Sequence, residues 1–428
     1  NWTYTNRNIN IHQITNDWNE ETANWNNMND KYNPRVENCF MGIRSRVIDN
    51  LIQPQINECN ITNIVKKWYC DTPNYGIMLK LNNETYINSY IPAFYSKNNT
   101  VEVENPKPIL SITYRNQNGL ENYMKYYKQN LVQGTVYENL YNGNLTTVFS
   151  LGQTISGKSP VDLNMVYNTN DVVLNTDYGY GLGYMLNLHQ TIKETIIDNT
   201  NYLEYIDGDG TIHYFKEKEG KYYDEDGLNM EATKQDNIYT ITDKEYNKLK
   251  FTKLDNIGYL TEYIDVADNK IIITYENSKI KKITDAKNYS IDILYESNKI
   301  TVVSPDETVY LNYQHNKLIN ITTLTGVTSF VYDSNNLLNS ITDENGKKIG
   351  FIYYENRPYR IKKVTEYATD DEEGNAFYIT YNFNSTKIKD KRNKTEITTF
   401  NSIGNAISTI NKVNENSIKG AYGQKEIY

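Results

Sequence analysis

The sequence predicts an all-β protein, and three observations carry that prediction. Tyrosine dominates the aromatic residues, with 40 Tyr against 10 Phe and 4 Trp, and Tyr and Thr suit pleated, half-buried strands. A strand, a polar turn and a second strand recur through the C-terminal part of the chain. Turn pairs such as Asn142-Gly143 and Asp226-Gly227 separate further strands upstream. Hydrophobic residues make up 38% of the 428 residues, which is enough apolar side chain to build sizeable cores.

Composition divides the chain into four segments, and the clearest break is a pair of prolines. Pro106 and Pro108 cannot donate hydrogen bonds to a strand ladder, so we place a domain boundary at about 105–118. The predicted segments are a β-sandwich of short strands over 1–105, a linker over 106–130, an aperiodic β-like region over 131–255, and a repeat region over 256–428.

One helix is expected near the linker. Over 120–131, the spacing of Leu120, Tyr123, Tyr127 and Leu131 places four apolar residues on one helical face. The rest of the chain carries turn signals that are typical of strands.

The repeat region is marked by an aromatic residue at the end of one strand in each unit. Gaps between successive landmarks are 20, 18, 19, 22, 27 and 19 residues. The gap of 27 contains an acidic insert at 368–375, which is typical of an exposed loop. The landmarks are Tyr275, Tyr295, Tyr313, Tyr332, Tyr354, Tyr381 and Phe400.

Seven hairpins in succession would make a sheet of about fourteen strands, some 65 Å wide. A sheet of that width must curl because strands twist, and we expect the resulting tube to enclose space. The landmark tyrosines would then line the inner surface, with their hydroxyls at a partly wet wall. In the alternative, they form ordinary cross-strand pairs in a solid sandwich. Periodicity alone leaves both open.

The repeats resemble the RHS/YD-repeat family, in which each unit carries a Tyr-Asp strand and a partner strand ending in Thr-Asp. Tyr332-Asp333 with Ile341-Thr342-Asp343 matches best, and Ile283-Thr284-Asp285 is a second copy. The segments 142–171 and 176–192 are similar to those that open RHS shells, although Tyr184 stands where Trp is usual. Glu276, Glu296, Gln314 and Asn382 replace the signature Asp in other units. The resemblance covers roughly 130–428.

That resemblance implies a curled antiparallel β-sheet that winds into a hollow cocoon. In bacterial polymorphic toxins the cocoon holds a C-terminal toxin domain, which would be this chain's own partner, and such proteins are secreted or lie at the cell wall or surface. In teneurin-like animal relatives the shell is an adhesion scaffold. Because the chain begins at Asn1 and shows no self-cleaving core motif or toxin domain before Tyr428, we expect it to be an internal piece of a longer protein.

The first segment resembles the later half of a DNRLRE-type domain, on the blocks 11–27 and 61–80. The resemblance implies a partial jelly-roll sandwich that binds carbohydrate, here a cell-envelope or cell-wall polysaccharide. The front strands of such a domain would precede Asn1. The glycan-binding candidates are Trp18 and Trp25, expected to be exposed, and Trp68 and Tyr75, expected to fill the sandwich core.

Charge and cysteine content exclude several other classes. A net charge of −9 and a pI near 5.2 argue against nucleic acid as the main partner. No apolar run approaches the length of a membrane span. The cysteines Cys39, Cys59 and Cys70 can form at most one bridge.

No motif predicts a metal, a cofactor or a catalytic nucleophile. The four histidines are scattered, without metal-ligand spacing, and no Gly-x-Ser-x-Gly elbow occurs. Asp207–Thr211 and Asp224–Gly227 imitate part of a calcium loop but are better explained as hairpin turns. We therefore predict a non-enzymatic shell protein. A carbohydrate-active lyase or glycosidase on a β-scaffold, or a structural adhesin without cargo, are the alternatives.

Overall fold

A computed structural model gives the fold of the chain, which divides into two compact units, residues 1–114 and 115–428. The division into four segments made from the sequence stays a prediction. The structure describes residues 7–42, 46–48, 51–53, 57–69, 72–82, 94, 108–112, 118–197, 199–368, 372–412 and 423–427.

The first unit is built around one buried strand. In chain order, its elements are β1 (Arg7–Gln13), α1 (Trp25–Met28), β2 (Asn38–Gly42), β3 (Arg46–Ile48), β4 (Leu51–Gln53), α2 (Thr62–Tyr69) and β5 (Ile77–Leu81). Strand β1 lies between β2 and β5 in an antiparallel sheet, and β3 pairs with β4. Ile9, Ile11 and Ile64 are buried in this unit. The jelly-roll interpretation of this segment stays a prediction.

Two of the three cysteines lie in the described part of this unit. Cys39 and Cys59 are free and exposed, and Cys70 lies outside the described residues. None of the helices in the described part of the chain is long and apolar enough to cross a bilayer; α2 has eight residues.

The second unit begins with a five-stranded antiparallel meander, which we call the small sheet. Its elements are β6 (Tyr126–Asn130), β7 (Gly134–Asn139), β8 (Leu145–Gln153), β9 (Asp162–Asn168), α3 (Thr169–Val173) and β10 (Tyr184–Leu186), in the spatial order β10-β9-β8-β7-β6.

The helix predicted over 120–131 is wrong, because residues 126–130 form strand β6. Tyr127 lies opposite Glu138 in the pairing with β7. Burial in this stretch alternates, with Gln129 and Leu131 buried and Lys128 and Asn130 exposed, which is the period of a strand. The apolar spacing that suggested a helix includes Tyr123, which is exposed in the structure.

The other 23 strands form one antiparallel sheet, the large sheet, in which each strand pairs with the next one along the chain. Its first eight strands close into a barrel, because β18 also pairs with β11 and places Thr191 opposite Tyr259. These strands are β11 (Thr191–Ile197), β12 (Thr200–Ile206), β13 (Ile212–Lys218), β14 (Lys221–Asp224), β15 (Glu231–Gln235), β16 (Ile238–Thr242), β17 (Lys248–Leu254) and β18 (Ile257–Ile264).

The remaining strands continue from the barrel as a succession of hairpins. The predicted all-β class and the long curled antiparallel sheet are therefore confirmed. These strands are β19 (Lys270–Glu276), β20 (Lys279–Thr284), β21 (Ser290–Tyr295), β22 (Lys299–Val303), β23 (Thr308–Gln314), β24 (Lys317–Thr322), β25 (Val327–Tyr332), β26 (Leu338–Thr342), β27 (Lys348–Tyr354), β28 (Arg357–Tyr367), β29 (Glu373–Asn382), β30 (Ser385–Asp390), β31 (Thr395–Phe400), β32 (Ala406–Lys412) and β33 (Gly423–Ile427).

The small sheet packs against one face of the large sheet. Phe149 meets Phe330 edge to face with ring centroids 5.2 Å apart, and Tyr127 contacts Phe377 at 4.8 Å. Buried side chains of both sheets belong to one continuous apolar cluster. The large sheet is thus continuous, as the shell interpretation predicted. Over the described residues, however, its inward face is packed, as the sandwich alternative predicted. The expectation of open space against this face is wrong, because the small sheet fills it.

A recurring loop, which we call the Asx loop, joins many of the strands. Its first residue uses one side-chain oxygen to accept hydrogen bonds from the backbone N–H groups two and four positions later. The residue three positions later has a positive φ, which suits Gly and Asn. Within the described residues, the loop begins at Asp207, Asp224, Asp243, Asp265, Asp285, Asp333, Asp343, Asp390 and Asn401.

Replacing the first residue of an Asx loop should loosen that loop alone. Asp333 accepts from the N–H groups of Asn335 at 2.8 Å and Leu337 at 2.9 Å. We expect Asp333→Ala to cost about 1–2 kcal/mol locally, which would speed hydrogen exchange at the Leu337 amide roughly ten-fold.

Asp333→Asn is the matched control, because Asn401 begins the same loop and its Oδ1 accepts from Ile403 and Asn405. Exchange at Leu337 should stay near the wild-type rate in this variant. Equal acceleration in both variants would show that the side-chain oxygen does not hold the loop.

Candidate functional site

The landmark tyrosines link neighbouring hairpins of the large sheet through their hydroxyls. Tyr295 in β21 donates to the carbonyl of Ile280 in β20 at 2.7 Å, and Tyr275 in β19 donates to Leu260 in β18 at 2.8 Å. Ile280 lies directly opposite Tyr275, so each hydroxyl reaches the previous hairpin. Burial raises the pKa of Tyr275 and Tyr295, and both hydroxyls therefore stay protonated donors at neutral pH. We call this series the tyrosine ladder.

Ladder residues reach the buried face by ordinary strand alternation, as Tyr275 does two positions after Ile273, and register shifts occur beside several of them. In the β19–β20 pair, Tyr275 lies opposite Ile280 while Thr274 lies opposite Lys282, so Lys281 is the extra residue of a bulge. The bulge lets Ile280 and Ile283 share the buried face although they are three positions apart. Similar shifts precede Tyr313, Tyr332 and Phe400.

Tyr332 belongs to the ladder, whereas Tyr313 interrupts it. Tyr332 donates to the carbonyl of Leu318 at 2.7 Å, and its oxygen lies 2.9 Å from that of Tyr184 in the small sheet. The hydroxyl of Tyr313 is buried, and no described residue forms a hydrogen bond with it. Its equivalent acceptor would be Ile300, the residue opposite Tyr295. A buried hydroxyl without a partner costs stability.

The next ladder residue lies one position before the landmark that the repeat spacing predicts. Tyr353, not Tyr354, donates to the carbonyl of Leu338 at 2.7 Å in the preceding strand. Tyr354 donates instead to Ile379 in β29 at 2.7 Å. Two register shifts, on either side of Tyr353, cause this displacement.

The last two landmarks contact the small sheet. Tyr381 donates to Oε1 of Glu138 at 2.9 Å, and Phe400 packs on Tyr141 with ring centroids 5.4 Å apart. Glu138 is fully buried, and burial raises the pKa of its carboxyl group to about 8. At neutral pH this acid is therefore mostly neutral, which permits it to lie between the sheets.

Sequence reasoning missed the small-sheet residues that meet the ladder. The Tyr167 hydroxyl accepts from the backbone N–H of Leu338 at 3.1 Å, and the Tyr180 hydroxyl accepts from Ile280 at 3.2 Å. Tyr180 lies in the Gly-rich stretch 178–184, whose glycines have positive φ. At Gly181, a Cβ would approach the Tyr313 ring to 3.2 Å. The alternation of Tyr and Gly in this stretch is the sequence signal that could have identified Tyr180.

A buried histidine joins two of the Asx loops in the barrel. The ring nitrogens of His213 lie 3.2 Å from Asp207 and 3.1 Å from Asp226. Burial opposes the charged form, but the hydrogen bond and charge of Asp207 outweigh it and raise the pKa of His213. Asp207 and Asp224 both begin hairpin loops, so the interpretation of these stretches as turns is confirmed. The described residues contain no group of His, Cys, Asp and Glu that could hold a metal ion.

The four glycan-binding candidates lie in the first unit, and two of them are in contact. Nε1 of Trp18 donates to the carbonyl of Tyr75 at 2.7 Å, and the side chain of Trp18 is 37% exposed. Trp25 is 51% exposed, and the ammonium of Lys80 lies 5.0 Å from its ring centre. Trp68 is half-buried on α2, and within the described part of the unit its Nε1 has no hydrogen-bond partner. Their role in binding stays a prediction.

The ladder predicts opposite effects for two chemically identical substitutions. Tyr332→Phe should lower the free energy of unfolding by about 1–2 kcal/mol, because it leaves the Leu318 carbonyl without its donor. Tyr313→Phe should leave it unchanged or raise it by up to about 1 kcal/mol, because the lost hydroxyl has no partner. Equilibrium urea unfolding followed by circular dichroism measures both, and equal losses would contradict the ladder.

Known proteins resemble the chain only remotely. No protein-family profile and no curated protein matches it. The crystal structure of TcdB2-TccC3-Cdc42 is similar over 65% of this chain and 22% of that chain, at 9% identity and a TM-score of 0.22. A mutant Tc holotoxin pore of Photorhabdus luminescens is similar over 67% and 26%, at 8% identity and a TM-score of 0.13.

BamB from Moraxella catarrhalis is similar over 71% of this chain and 95% of that chain, at 8% identity and a TM-score of 0.10. The chain spans about a quarter of the length of the two toxin-complex chains.

Proposed function

We propose that the chain is part of the wall of an RHS-type shell that encloses a C-terminal toxin domain. The shell is non-enzymatic and is secreted or lies at the cell surface. One observation carries the proposal: 23 strands form a single sheet in strict chain order, closed into a barrel at its start and continued by hairpins up to β33. Such a sheet can be lengthened hairpin by hairpin without rearranging what precedes it.

The barrel supports a role as the closed end of a wall. Its interior is filled by buried side chains that include Leu203, Phe215 and Phe251. A small eight-stranded barrel is just wide enough to be filled by its own residues. A filled barrel blocks passage along its axis.

The two-layer construction supports a role in separating a polypeptide from solvent. On the outer face, Lys282 pairs with Asp292 at 3.0 Å. On the far face of the small sheet, Lys128 and Ser150 are exposed. The apolar cluster lies between these faces, so each side of the wall carries charged or polar side chains, with Leu294 and Val331 also exposed on the outer face.

Three of the described acids and one histidine are engaged in structural contacts, which supports a non-enzymatic role. Glu138 is bound to Tyr381, and Asp207 and Asp226 hold His213. Each of these groups is buried or committed to a loop. A lyase or glycosidase would need a pair of carboxylates that a glycan can reach.

Proteolysis of the full-length gene product tests the wall. Ile341 is fully buried, whereas its neighbour on the adjacent strand, Val331, is 53% exposed on the opposite face. We expect proteinase K to leave the region beyond residue 428 intact in the wild type and in Val331→Asp. Ile341→Asp should expose that region, because a carboxylate in the core opens the wall.

Two results would overturn the proposal. One is cleavage of the C-terminal region in the wild type as fast as in Ile341→Asp. The other is hydrolysis or elimination of any wall or plant polysaccharide by the purified protein, which would favour the enzyme alternative.

We also propose that the first unit binds a cell-envelope glycan through Trp18 and Trp25. The hydrogen bond from Trp18 to Tyr75 fixes one indole ring while a third of it stays accessible. Trp25 offers half of its surface next to the Lys80 ammonium. Flat, fixed aromatic surfaces beside a charged group are suited to stacking on sugar rings.

Substituting these rings should remove glycan binding without unfolding the unit. We expect Trp18→Ala and Trp25→Ala each to weaken binding about ten-fold on a glycan array and in titration calorimetry. Tyr69→Ala is the control, because Tyr69 is 54% exposed in the same unit. Unchanged binding in both Trp variants, or the same loss in Tyr69→Ala, would rule out this site.

A further inference from the structure

A cleft of about 380 Å³ opens where the barrel meets the first hairpin of the open sheet. It lies beside the closing strands β11 and β18 and the turn between β19 and β20. Its volume falls within the range of small-molecule sites. The residues that matter for its chemistry are Tyr178, His189, Tyr259, Thr191 and Lys279, together with the charged residues Asp177, Lys193 and Glu204.

One ring nitrogen of His189 is held at the cleft by Tyr180. The Tyr180 oxygen accepts from the backbone N–H of Ile280 at 3.2 Å and lies 2.8 Å from Nδ1 of His189. Burial lowers the pKa of His189 to about 4, so the ring is neutral at pH 7. No described residue accepts a hydrogen bond from Nε2.

Both carboxylates that line the cleft already have partners. Glu204 forms an ion pair with Lys193 at 2.8 Å. Asp177 accepts from the backbone N–H of Gly179 and from Nδ2 of Asn316, both at 2.7 Å.

The donors, in contrast, are free. No described residue forms a hydrogen bond with the hydroxyl of Tyr178 or of Tyr259. The ammonium of Lys279 lies 5.2 Å from the ring centre of Tyr295, and within the described part of the chain it has no carboxylate partner. The cleft thus offers one cation and several neutral donors beside aromatic rings.

We propose that this cleft binds a small organic carboxylate with a flat apolar body. Lys279 supplies the charge, the Tyr178 and Tyr259 hydroxyls supply hydrogen bonds, and the aromatic rings, with the imidazole of His189, contact the apolar body. Charge-assisted hydrogen bonds of this kind favour a carboxylate over a neutral or cationic group. This site is independent of the shell role and of the glycan site in the first unit.

Three isosteric probes test the proposal on the intact chain. Benzoate, benzamide and benzylamine share one ring and differ in the charge of the substituent. We expect saturable binding of benzoate, seen as shifts of the His189 ring signals in NMR spectra. Benzamide should bind about ten-fold more weakly, and benzylamine should not bind.

A pair of lysine variants locates the site. Lys279→Met should weaken benzoate binding about ten-fold. Lys317→Met is the matched control, since Lys317 lies over Tyr332 in a later hairpin at 5.6 Å and does not line the cleft; benzoate binding should be unchanged in it. Benzylamine binding as tight as benzoate, equal effects of both variants, or no saturable benzoate binding would each overturn the proposal.

Discussion

The large sheet depends on the burial of one apolar face beneath the small sheet. Contacts between the two extend from the loop after β18, where Ser159 donates to Asp265 at 2.7 Å, to β31, where Lys125 forms an ion pair with Glu396 at 2.8 Å. Without that cover, a row of Ile, Leu and Phe side chains across many strands would face water, at a cost of about 25 cal/mol for each Å². Packing of the small sheet therefore determines which face of the hairpins is buried.

Local hydrogen bonds then keep each hairpin in register with that face. A slip of one residue would turn a strand's buried side chains outward, and both recurring devices resist it. Asx loops fix the strand ends near the Thr-Asp positions, while the tyrosine ladder joins several hairpins to the one before them, through Tyr275, Tyr295, Tyr332 and Tyr353. Where Asp is missing, the hydroxyls of Ser304 and Thr323 accept from the loop backbone instead. The wall proposed for this chain therefore depends on local hydrogen bonds that hold its hairpins in register.

The local, periodic hairpins were predicted from the sequence. Features that depend on pairing between distant strands were not. The spacing of the tyrosines predicted successive hairpins because each unit carries its own turn signals. No local pattern marks the closure between Thr191 and Tyr259, which are 68 positions apart. Helical spacing around Tyr127 misled because pairing with β7 overrides weak propensity. Tyr353 was missed because a double register shift is invisible in the spacing. For the sites, the exposed Trp25 was predicted, whereas the cleft at His189 is assembled by residues from distant strands.

Zero-length carbodiimide cross-linking tests the central packing most directly. Lys125 and Glu396 are 271 positions apart, and both side chains are partly accessible. We expect mass spectrometry of the digested protein to find them joined, together with Lys282 and Asp292 as the within-sheet reference. A digest that contains the Lys282–Asp292 link but no Lys125–Glu396 link would contradict the packing of the small sheet on the large one.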